Sequence, residues 1–258
     1  MIRKVFLWEL KSAGKPYIMF LILFLLLYVA MDYPPRKGGG VTYYDISAQP
    51  NVNLLSALNI GWSLNEIWWF LLPVVIALAV LLFSYDIDRG LLRTYMLSQA
   101  SRTSLFIGKL IALFIAVFIP LVVGGALILA FADPTLFLSD PLFVWNSLWL
   151  RLVGWALMMY VMIGFSIFPA ILLKKPLYAF VTPYVVFYAL QSARLPTNIA
   201  QYIPGGSFWL FQSVTPGSPA YLIRHDLLRA WELAWPGVAV ATALIILSYI
   251  LFIRMEQS

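Results

Sequence analysis

Six charged side chains fall in one stretch of an otherwise apolar chain: SYDIDRGLLRTYMLSQASRTSLFIGK, residues 84–109, holds Asp86, Asp88, Arg89, Arg93, Arg102 and Lys109. Catalysis would need such groups gathered in a cavity, with a base, a nucleophile or a metal ligand set among them. Nothing else in the chain completes such a set. The single histidine, His225, cannot build a metal site alone, and there is no cysteine to act as nucleophile, metal ligand or disulfide partner. Gly108-Lys109 lacks both the preceding glycine and the following hydroxyl of a phosphate-binding loop. Gly-x-Ser-x-Gly and His-Glu-x-x-His are absent as well. The expected role of the stretch is therefore contact rather than chemistry. Read as a helix, Leu91, Leu92, Tyr95 and Met96 recur at i, i+1, i+4 and i+5, an apolar ridge flanked by Asp88, Arg89 and Arg93. Two uses fit that pattern: an interfacial turn whose leucines dip into lipid, or a helix laid into a groove on another protein.

The elements that must position this stretch are apolar. Of 258 residues, 62% are hydrophobic and 11% charged, too little polar material to cover a water-soluble domain of this length. A bilayer is the expected solvent, and a single all-α integral membrane domain over residues 1–258 the expected fold. A spanning helix needs about 20 mostly apolar residues. Candidate spans lie at 16–31, 67–83, 105–131, 148–173, 177–190 and 236–253, six transmembrane helices with both termini on one side. The opening MIRKVFLWELKSAGKPY is not a cleavable signal, because Glu9, Lys11 and Lys15 interrupt it before any apolar core begins.

Charge sorts the two sides. The termini, the 84–109 connection and the Lys174-Lys175 turn together carry eleven basic and four acidic residues, net +7; of the chain's 17 and 11, six and seven remain for the other side, net −1. By the positive-inside rule both termini are cytoplasmic, in a multi-pass protein of the cell membrane. The formal charge of +6 is thus accounted for by topology, and nucleic acid is not an expected partner. Of ten tryptophans only Trp8 falls on the inner side; the others, from Trp62 to Trp235, gather toward the outer interface as an anchoring belt.

Two segments read as helices lying along the membrane. In residues 1–15, Arg3, Lys4, Lys11 and Lys15 fall within about 120° of one another on a helical wheel, with Ile2, Val5, Phe6, Leu10 and Ala13 opposite. Glu9 interrupts the apolar arc, and both a base on another helix and the lipid headgroups are within its reach. Residues 191–235 are too long and too apolar for a solvated loop. There Ile223, Leu227, Ala230, Trp231 and Ala234 share a face, as in an interfacial or partly re-entrant helix between spans five and six.

With these residues in order, the chain resembles a known family. Asp86-x-Asp88-x-Gly90, Leu97-Ser98, Ser101-Arg102 and Gly108-Lys109 look like the cytoplasmic signature of the type-2 ABC exporter permeases, with Asp in place of the more usual Glu. Trp8-Glu9-Leu10-Lys11 is similar to the Glu-Leu-basic element of that family's N-terminal elbow helix. The resemblance implies a permease subunit that packs with a second copy or a homologue over two separate ABC ATP-binding subunits. ATP and Mg would be held by those subunits, with no cofactor in this chain. Residues 84–104 would carry the coupling helix. In it Asp86, Asp88, Arg89 and Arg102 would form the polar rim, Gly90 the start and Leu91, Leu92, Tyr95 and Met96 the teeth, with Ser101 alongside and Glu9 and Lys11 in the elbow. The chain would then be no enzyme itself, and its cargo would be apolar or amphipathic, a lipid, peptide or drug. Two further readings share the composition: a membrane assembly or immunity factor that moves no solute, and a lipid-modifying membrane enzyme, which the missing catalytic cluster disfavours.

Overall fold

A computed structural model describes residues 68–91, 101–132, 141–192, 199, 202 and 220–255. The elbow helix with Glu9 and Lys11, the first span, and Leu92, Tyr95 and Met96 of the coupling helix lie outside the described residues, as do the outer segment before 220, apart from 191, 192, 199 and 202, and the side chains assigned to its apolar face.

Among the described residues every element is helical. Helix α1, Trp68–Ala79, runs into a π-helical stretch, Val80–Ser84, in which the Tyr85 N–H bonds the Val80 carbonyl, and then into α2, Tyr85–Asp88. The others are α3, Arg102–Ala132, α4, Pro141–Leu172, α5, Pro176–Ser192, and α6, Ala220–Arg254. At 1.5 Å per residue the 31 residues of α3 extend roughly 46 Å, well beyond a hydrocarbon core of about 30 Å. Two stretches, Arg102–Pro120 and Trp235–Arg254, are long and apolar enough to cross a membrane. Met159–Leu172 and Pro176–Leu190 are shorter apolar helices.

The helices form where the apolar runs are, because only a helix satisfies its own backbone inside an apolar medium. The expected bounds 105–131 and 177–190 correspond to α3 and α5 within three residues at each end. The last helix differs. The expected span starts at 236, but α6 begins at Ala220 and carries Pro236 in its interior. Proline removes one N–H while its φ stays helical, and the turns on either side continue the helix through it. Residues 220–235 are therefore the opening turns of the last helix rather than a separate element.

Helix α4 is central, touching α1, α3, α5 and α6, and its widest contact is with α6. That contact closes on Gly164: a Cβ there would lie 2.8 Å from both the Cβ and the backbone oxygen of Ala241. Small residues let two helices approach to backbone contact, which is how helices pack where apolar burial alone gives no drive. A hydrogen bond between the Tyr160 and Thr242 hydroxyls, 2.9 Å, crosses the same seam. Because the obstructing atoms at Gly164 are two backbone atoms of Ala241 and its Cβ, none of which can swing aside, Gly164→Ala is expected to cost about 1–3 kcal/mol. Thermal unfolding of the detergent-purified chain measures that loss, and a variant as stable as the parent would mean the seam is looser than it looks.

Candidate functional site

The end of α2, the start of α3, the α4–α5 turn and the end of α6 meet at one end of the bundle, and the charged residues of the 84–109 stretch are what ties them. An aromatic cluster floors this end. Phe83 packs on Phe106 and Phe252 with ring centroids 5.7 and 6.2 Å apart, and Phe106 lies 5.4 Å from Tyr249 and 5.6 Å from Phe252. Edge-on and tilted pairs of this kind add to the apolar burial and fix the relative rotation of the three helices.

Over this floor the run 80–88 ends with two carboxylates, the sign a helix C-terminus disfavours, so each needs a cation. Asp86 accepts an ion-paired hydrogen bond at 2.5 Å from Lys109, whose side chain is fully buried. Asp88 pairs with Lys175 at 3.0 Å, and here the side chains are 32% and 66% exposed. The two pairs join the same short run to different elements: the first to α3, the second to the α4–α5 turn. Between them Ser84, itself buried, donates its Oγ hydrogen to the Lys174 carbonyl at 2.9 Å.

The rest of the stretch is held in the same way. The Arg89 guanidinium sits 4.3 Å above the Tyr85 ring, one turn back on the same helix. Gly90 takes φ +68°, the left-handed conformation that ends a helix, with its N–H bonded to the Ile87 carbonyl; a Cβ there would meet nothing, so the glycine is required for its φ alone. Leu91, the last described residue before 101, is half-buried. Ser101 caps α3. Its Oγ accepts the Ser104 N–H at 3.2 Å and donates to the Ser104 hydroxyl at 2.7 Å. Arg102 donates to the carbonyl of Ile253, one of the terminal carbonyls of α6 that no helical N–H satisfies, and Thr103 shares a 2.9 Å hydrogen bond with Tyr249. Ser101→Ala is expected to cost about 1 kcal/mol by removing the cap, read as a lower unfolding temperature.

Asp86 and Arg102, expected in the polar rim, both face neighbouring helices. Asp86 is 7% exposed and turned toward Lys109, and Arg102 is half-buried against the end of α6. The reason is electrostatic: a carboxylate at a helix end next to a buried ammonium is more stable facing it than facing outward. Asp88 and Arg89 do stay at the surface. Ser84, Lys109, Lys174 and Lys175 were not among the expected site residues. The signal that could have found Lys109 is its place inside an apolar run: a buried cation there demands an anion, and the two nearest in sequence upstream are Asp88 and Asp86.

Neither a family model nor a curated protein matches this chain. What the arrangement can do therefore rests on its geometry. The 84–88 run is tied to α3 through the buried pair and to the α4–α5 turn through Ser84 and Asp88, and the first turn of α3 is tied to α6 through Arg102 and Thr103.

Proposed function

We propose that the chain is the membrane-spanning permease subunit of an ATP-driven ABC exporter, with six spans, cytoplasmic termini and residues 84–104 as the place where an ATP-binding subunit docks. The observation that supports this most is the set of ties at the charged end. The 84–88 run is fastened to α3 and to the α4–α5 turn, and the first turn of α3 to α6, links through which movement of the connection would reach the helices and which a loop that only anchors topology does not need. The order of the Asp-x-Asp-x-Gly, Leu-Ser, Ser-Arg and Gly-Lys elements gives the same reading from sequence. On this reading two permease chains, identical or homologous, work with two ATPase subunits that bind ATP and Mg, and the cargo is apolar or amphipathic.

The test is affinity purification of the tagged full-length chain from its native membranes in mild detergent, with mass spectrometry of what comes with it. A P-loop ATPase close to one per chain is the expected companion. A chain recovered only with itself and lipid would contradict the proposal.

A further inference from the structure

The α4–α5 turn, residues 173–175, carries a backbone conformation that its sequence does not favour. Lys174 has φ 58°, the left-handed region, and the Lys175 N–H closes on the Leu173 carbonyl at 2.6 Å, so the chain reverses around a single lysine. The helices begin tightly on either side: Leu173 N–H bonds the Pro169 carbonyl at 3.0 Å, and Ala179 N–H bonds the Lys175 carbonyl at 2.9 Å. For a residue with a Cβ the left-handed conformation is disfavoured by roughly 5- to 30-fold in population, and it persists only where surrounding structure imposes it.

Two groups impose it here. Ser84 holds the Lys174 carbonyl, and Asp88 holds the Lys175 ammonium. They stand four residues apart on one helical run, hence on one face, and they grip two consecutive residues of the turn. The grips differ in strength. The Ser84 hydroxyl is fully buried, while the Asp88–Lys175 pair is open to solvent and breaks at small cost. The run itself is tied to α3 by the buried Asp86–Lys109 pair and moves with it, so where run and turn part it is the turn that changes shape. Beyond it α5 buries Ala179 and Phe187 and leaves Leu177, Tyr178, Val181 and Val185 exposed.

We propose that residues 173–175 are a two-state turn, cocked in the left-handed conformation while Ser84 and Asp88 grip it and relaxed when the 84–88 run withdraws, so that movement of the run re-aims α5 against α4. This holds whatever displaces the run, and it does not depend on an ATPase partner.

The chain has no cysteine, so one introduced thiol reports cleanly. Ala179, fully buried in the first turn of α5, is the reporter: in the full-length Ala179→Cys chain in lipid nanodiscs, maleimide labelling at reagent concentrations low enough that reclosing outpaces reaction follows the relaxed population. Ser84→Ala is expected to raise the labelling rate about fivefold and Asp88→Asn about twofold. Lys174→Gly is expected to lower it about fivefold or more, because glycine adopts the cocked conformation without the penalty. Lys174→Ala, which keeps the penalty and removes only the ammonium, is expected to stay within about twofold of the parent. The sign of the glycine effect is the discriminating result, since in a turn that is merely flexible glycine would speed labelling. A Lys174→Gly rate equal to or above the parent overturns the proposal, as does an unchanged rate in Ser84→Ala or the absence of labelling in the Ser84→Ala, Asp88→Asn double variant.

Discussion

Lys109→Met is expected to destabilise the chain by about 3–5 kcal/mol, because it strands the Asp86 carboxylate, 7% exposed, without its ammonium. Asp86→Leu is expected to do comparable damage from the other side, leaving a fully buried cation. The double variant, with both charges replaced by apolar groups of similar size, is expected to recover most of the loss. A buried pair repays little more than its own desolvation, and what it contributes is position rather than net stability. Equilibrium unfolding of the four proteins in one detergent gives the coupling as a double-mutant cycle. Additive losses would mean that the two side chains do not act as a unit. If the double variant is stable yet the 84–91 segment becomes more accessible to protease, the pair is acting as a register pin for the connection.

The second large effect is expected at Leu91 and Leu92. Aspartate at both places puts two charges where the family resemblance implies apolar teeth in a groove on the ATPase. Loss of one central apolar anchor in such a contact typically costs 2 kcal/mol or more, about 30-fold in affinity. The double variant is therefore expected to keep its fold and its self-association while ATPase stimulation and transport fall by at least that factor. Leu91 is half-buried and lies outside the buried core. Unchanged stimulation in a folded double variant would remove residues 90–98 from the docking role.

These expectations draw unequally on the sequence. The long apolar runs announce α3 and α5 because a helix in an apolar medium must be apolar over its length, and hydropathy alone measures that. The charge at residues 84–109 marks the end where the helices are tied together for the same reason, as charge in such a chain is expensive and is paired. What the sequence conceals is the pairing. Asp86 and Asp88 look alike in the string, two acids one residue apart, yet one faces a buried ammonium on α3 and the other an exposed lysine on the α4–α5 turn. Their partners stand 23 and 87 residues away, and no local periodicity reports a separation of that kind. The extent of α6 is hidden for a different reason. Pro236 is compatible both with a first turn and with a helix interior, and the flanking turns decide between them. The left-handed Lys174 is the least legible feature, because glycine is the residue that advertises such a turn and lysine does not.

On the proposed function the 84–104 connection is where an ATP-binding subunit takes hold. This is tested most directly by placing a photoreactive amino acid at Tyr95, in the full-length chain expressed in its native host, and irradiating intact membranes. The account predicts one dominant crosslink, to a subunit carrying a P-loop, lost in the Leu91→Asp, Leu92→Asp background. Crosslinks confined to lipid or to the chain itself would contradict it.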